Sequence, residues 1–172
     1  MRITITKGER GDRIEALRGD NSHVATTFPK KGPLPHDLVH FVVESELAIR
    51  DGFWGMVAGG RHPEEIADFA KAAGHASAKR AGIPDASIVA IVQAERAVEC
   101  FEADLWGGSH GDPQTFRDVI AAGCAQSLVP ALGLSDESLQ RIRARLVELR
   151  GQWAKLARGE SLVLDWKEGT AA

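Results

Sequence analysis

SDESLQRIRARLVELRGQWAKLAR, running from Ser135 to Arg158, is the stretch whose reading decides the fold. Leu139, Ile142, Leu146, Leu149, Trp153 and Leu156 recur at alternating intervals of three and four, an unbroken apolar seam at helical period. Ser135 suits an N-cap, because its hydroxyl can accept a backbone N–H of the first turn, and the helix runs to about Arg158. Arg141, Arg143, Arg145, Arg150 and Lys155 occupy the other faces, with stems able to cover apolar neighbours while their heads stay wet. The seam has two uses: packing inside its own domain, or pairing with a second copy.

Moving toward the N-terminus, four more helices are legible. Asp112-Pro113 is an N-cap followed by Pro at N1, opening a helix that Pro130 ends. Residues 85–106 form another. A third begins at Pro63, with Glu64 and Glu65 in its first turn and Lys79 and Arg80 in its last, both matching the macrodipole. The first starts at Pro35, placed at N1, and ends before Gly52, followed by a short apolar piece at 53–58. Strands belong to the ends. Ile3 and Ile5 alternate with Thr4 and Thr6; turn chemistry at 8–12 and 19–22 separates two further runs; Leu162, Leu164 and Trp166 alternate with Val163 and Asp165. The expected fold is α+β: a three-stranded meander over 1–28, about five helices in a bundle-like layer over 35–158, and a closing strand at 161–166, all in one domain of 172 residues.

Composition narrows the chemistry. With 21 Lys plus Arg against 24 Asp plus Glu, the chain lacks the clustered excess of cations that a phosphate backbone requires, so no nucleic-acid partner is expected. No apolar run approaches the roughly 18 residues of a membrane span, and a soluble, cytoplasmic protein is expected. Tyrosine is absent, which removes every mechanism built on a phenol. Cys100 and Cys124 stand apart, one in an acidic neighbourhood that raises a thiol pKa and one in an alanine-rich helix, and no nucleophile elbow is present. What chemistry exists rests on histidine and carboxylate.

His36-Asp37-Leu38-Val39-His40 and Glu44 carry that possibility. Residues four apart lie one turn above each other on a helix, so His36 and His40 can hold one ion from the same face, with Glu44 completing the shell. The spacing resembles the H-E-x-x-H motif of zinc metalloproteases over five residues, with Asp37 in place of the glutamate general base. Aspartate is one methylene shorter, and five residues assign no family. Glu95, Glu99 and Glu102 share one side of the 85–106 helix and are possible ligands from a second element. The competing reading makes His36, His40 and Glu44 a solvent face opposite Leu38, Phe41, Val42 and Ile49, although Val39, Val43 and Leu47 flank the stripe.

Two functions of different kind follow. The first is a non-catalytic binding or self-associating domain, a homo-oligomer joined through helical faces, motivated by the seam. The second is a divalent-metal-dependent hydrolase in which His36 and His40 ligate the ion, Glu44 or a distant carboxylate completes the shell, and Asp37 or a glutamate of the 85–106 helix accepts the proton of the bound water. Imidazole and carboxylate suit Zn, Fe, Mn or Ni, and spacing does not choose among them.

Overall fold

The structure, a computed structural model, describes residues 1–77 and 84–167, apart from the side chains of 73–77. Strands β1 (Arg2–Thr6), β2 (Gly11–Leu17) and β3 (His23–Pro29) form the meander, and β4 (Ser161–Asp165) returns from the far end of the chain to pair with β1. The order is β3-β2-β1-β4, antiparallel throughout. Register explains the alternation seen in the sequence. Leu164, Ile3, Ala16 and Val24 stand in one row across the sheet, and Leu162, Ile5, Ile14 and Thr26 in the next, all turned toward the helices. Phe28 continues that inner face at the end of β3, opposite Asp12.

Six helices are present among the described residues: α1 (His36–Glu46), α2 (Phe53–Ala58), α3 (Pro63–Ser77), α4 (Ala86–Trp106), α5 (Pro113–Gln126) and α6 (Asp136–Lys155). This is the expected α+β arrangement, with the short apolar piece at 53–58 forming a sixth helix. Asp85, Asp112 and Ser135 cap α4, α5 and α6 by accepting the N–H groups of Ser87, Thr115 and Ser138. Lys79 and Arg80 lie outside the described residues.

Some boundaries differ from the sequence reading, for identifiable reasons. Pro35 is the N-cap of α1 and not its first residue, with an extended ψ of 132°. The end of α1 does fall before Gly52 as expected, at Glu46, because Ala48 takes φ +52° and the chain turns, the Ile49 N–H bonding the Glu44 carbonyl. Helix α6 stops at Lys155 and not near Arg158. There Lys7 donates to the carbonyls of Trp153 (3.0 Å) and Leu156 (2.8 Å), so a strand-end ammonium satisfies the last turn.

The seam of α6 faces inward. Leu139, Ile142, Leu146, Leu149 and Trp153 are at most 4% exposed and belong to the same buried cluster as Ile3, Leu38 and Phe101. It is spent on the chain's own core, so the seam itself presents no surface to a second copy. Arg143 departs from the expected wet rim: its guanidinium forms a buried two-pronged pair with Asp104 of α4 (2.9 and 2.7 Å) and lies over the Phe116 ring.

Helix α1 is the centre. Leu38 through Glu44 are all buried, seven consecutive residues, against α4, α6 and α2. A helix covered on every side must find internal partners for its polar groups.

The packing predicts a contrast on adjacent α6 positions. Leu146→Ala, at 1% exposure, is expected to cost about 2–5 kcal/mol in urea unfolding, while Val147→Ala, at 44%, stays within about 0.5 kcal/mol of the parent. Equal effects would show that the seam is not in the core.

Candidate metal centre

The polar stripe of α1 does not face solvent. His36, on the first turn, is partly buried; His40 is 2% exposed and Glu44 fully buried. Helix α4 runs alongside and supplies Glu95 and Glu102. Glu102 bonds His36 Nδ1 at 2.9 Å, and Glu44 bonds His40 Nδ1 at 2.8 Å. Each imidazole is thus held through Nδ1 by a carboxylate, with its Nε2 directed the other way.

Both Nε2 atoms meet. They lie 3.2 Å apart, with the rings steeply inclined at 75°, and the Glu95 carboxylate straddles them, 3.7 Å from His36 and 3.5 Å from His40. A carboxylate accepts, so Nδ1 of each ring donates to it, and in a neutral imidazole the other nitrogen is then a bare lone pair. Two such lone pairs and a carboxylate oxygen converge on one point. A cation between them resolves the repulsion. The ligand atoms of His36, His40 and Glu95 all lie within 4.8 Å of one another. For bonds of about 2.1 Å, nitrogens 3.2 Å apart subtend roughly 100° at an ion, between octahedral and tetrahedral values.

Without a metal, the cation is a proton. Burial opposes charge on His40, but Glu95 and Glu44 outweigh it and hold the imidazole up at about 10. His36 is raised as well: burial opposes its charge, but the hydrogen bond it donates to Glu102 and the nearby Glu95 carboxylate prevail. Glu95 is correspondingly held far below the ordinary carboxylate range by the two histidines, in spite of its burial.

The other expected residues fall in distinct places. Glu44 does not join Glu95 at the convergent nitrogens. Besides His40, it accepts the backbone N–H groups of Phe53 (2.8 Å) and Trp54 (2.9 Å), and so caps α2. Gly52 is what admits it: a Cβ there would stand 2.5 Å from the Glu44 carboxyl carbon. Glu99 is half exposed and pairs with Arg96 at 2.8 Å, making no hydrogen bond or ion pair with either histidine among the described residues. Asp37 lines the same pocket as both histidines, and burial pushes its carboxyl up; its carbonyl accepts the Trp54 indole N–H. Cys100 and Cys124 are free thiols whose pKa burial raises, and neither lines the pocket.

That pocket measures about 660 Å³ and is bounded by β3, the loop after it, α1, α2, α3 and α4. Phe28, Pro29, Phe53, Ala67 and Ala70 form its apolar wall. Nothing in the sequence marks Phe28 or Phe53 as site residues, since each reads as an ordinary core position and only the tertiary fold brings them to it. No protein-family model, curated protein or solved structure matches the chain.

Two predictions arise. In chelator, the His40 contribution to stability is complete below its ordinary value of 6.5 and lost as pH climbs to about 10. The melting temperature of the metal-free protein is therefore expected to fall across that window, more steeply than that of His40→Gln. Parallel curves would mean that His40 carries no extra proton. Separately, Gly52→Ala pushes against the buried Glu44 carboxylate and is expected to cost about 1–3 kcal/mol in chemical denaturation; a neutral result would place Glu44 elsewhere.

Proposed function

We propose that this protein binds one divalent transition-metal ion through His36, His40 and Glu95 and uses it as a hydrolase does. The observation that supports this reading is the convergence of two Nε2 lone pairs and a carboxylate, each imidazole fixed from behind by a second carboxylate. Carboxylate–histidine–metal relays have this form, in which the outer carboxylate sets the tautomer, orients the ring and strengthens the ligand.

Three protein ligands beside an open pocket favour a working site over a structural one, because structural zinc is closed by four protein ligands. His36, His40 and Glu95 would hold the ion, which when bound would polarise a substrate's carbonyl or phosphoryl oxygen and acidify a water. Asp37, on the pocket wall, would take that water's proton and return it to the leaving group. The donor set of two imidazoles and one carboxylate fits zinc and equally ferrous iron.

Metal content of the purified chain, measured by mass spectrometry after loading with each candidate ion, tests the proposal. One ion per chain is expected, lost in His36→Ala, His40→Ala and Glu95→Ala. Glu44→Gln and Glu102→Gln keep the ion with affinity weakened by about 10–100-fold. Substoichiometric metal in the parent protein after loading would overturn the reading.

A further inference from the structure

One residue beyond Glu95, and so about 100° round α4, Arg96 lines the same pocket. Its stem passes over Gly123 of α5, with Cδ 3.6 Å from where a Cβ would stand, and its side chain is 26% exposed. Among the described residues the guanidinium has one ion-pair partner, Glu99, which takes Nη1 from a half-exposed position. Pairs so exposed hold weakly. Among the described residues the buried Nε has no hydrogen-bond partner, an arrangement that costs more than the Glu99 contact returns. The guanidinium is therefore tied at one corner, and turning into the pocket to meet an acceptor would satisfy the donor it now leaves unused.

The rest of the lining says what that acceptor belongs to. Lys31, on the loop after β3, and Lys71, on α3, bring two more cations to the wall. Neither has an ion-pair partner among the described residues. Asp37, Asp68 and Glu99 share the lining, so the pocket is no general trap for multiply charged anions. Phe28, Pro29 and Phe53 add an apolar strip to the same lining, the Phe53 ring standing 5.8 Å from that of His40, in a volume of the size that encloses a small molecule.

We infer that the ligand of this pocket is a small organic acid, its single carboxylate held by Arg96, its apolar body along Phe28 and Phe53, and its reacting group at the histidine centre. This rests on the metal-site proposal for the last element only. Arginine is the suited partner because its planar fork matches a carboxylate with two parallel N–H groups.

Calorimetric titration of the zinc-loaded protein with 3-phenylpropanoate, and with its uncharged amide, separates the terms. The acid is expected to bind at least tenfold more tightly than the amide. Arg96→Met is expected to erase that preference while retaining zinc, and Arg96→Lys to restore part of it. A carboxylate that simply ligates zinc would bind the Arg96→Met protein undiminished, which would overturn the inference. So would equal affinity for acid and amide in the parent protein. The titrations are repeated after chelation. Failure of the parent to hold zinc would sink the proposed function, whereas loss of Arg96-dependence in both states would sink this inference alone. Phenyl phosphate, run in parallel, is expected to bind more weakly than the acid; tighter Arg96-dependent binding of the phosphate would overturn the assignment to a carboxylate.

Discussion

Helix α1 is enclosed on every side over residues 38–44, yet carries His36, His40 and Glu44 along one stripe. A buried helix cannot leave such groups to solvent, and burying an unpaired charge costs more than any nearby apolar contact returns. The rest of the arrangement follows from that constraint. Helix α4 must approach with carboxylates at the right heights, which Glu95 and Glu102 provide seven residues apart, two turns along one face. Helix α2 must begin where Glu44 ends, so that its first N–H groups meet an acceptor. Gly52 must lack a side chain for the chain to pass close enough.

The scaffold keeps those elements in place with ordinary means. The inward faces of the sheet and the seam of α6 form one buried cluster with α1 and α4. The Arg143–Asp104 pair fixes α6 to α4 just beyond Glu102. Thr26 on β3 donates to Glu64 on the first turn of α3 (2.6 Å), fastening the sheet to the helix that closes the pocket. Phe28 then arrives at the pocket as a consequence of register, since it occupies the same face as Val24 and Thr26. The aromatic wall of the site is thus the continuation of the sheet's core face.

Much of this was legible in residues. Period-two alternation located β1 and β4, and the three-four seam located α6, because each pattern reflects contact with a single apolar surface. The i, i+4 histidines were legible for the same reason, since a helix fixes the relation of His36 to His40 whatever surrounds it. What escaped the sequence is what depends on two elements at once. Glu44 reads as the natural third ligand, being next on the stripe, but the N-terminus of α2 claims both its oxygens. Glu95 reads as one of several acidic positions with Glu99 and Glu102, and nothing local separates the one facing both histidines from the one facing Arg96. Arg143 reads as surface because its neighbours on α6 are surface, and only the position of Asp104 on another helix makes it buried.

The charges explain why two carboxylates stand behind the histidines as well as one in front. Were Glu44 and Glu102 neutral amides, either ring could turn over and present Nδ1 or a proton to its neighbour, and the pair would settle as an ordinary hydrogen bond between imidazoles. Acceptors on the outer side remove that choice and leave the shared point electron-rich. A single proton there would balance only part of the surrounding negative charge, while a divalent ion would balance more and could bond all three inner atoms at once. The fold holds His36, His40 and Glu95 together, a grouping that an unfolded chain would have to assemble at an entropic cost. That convergence lies in the packing of α1 against α4, where the sequence of neither helix alone records it.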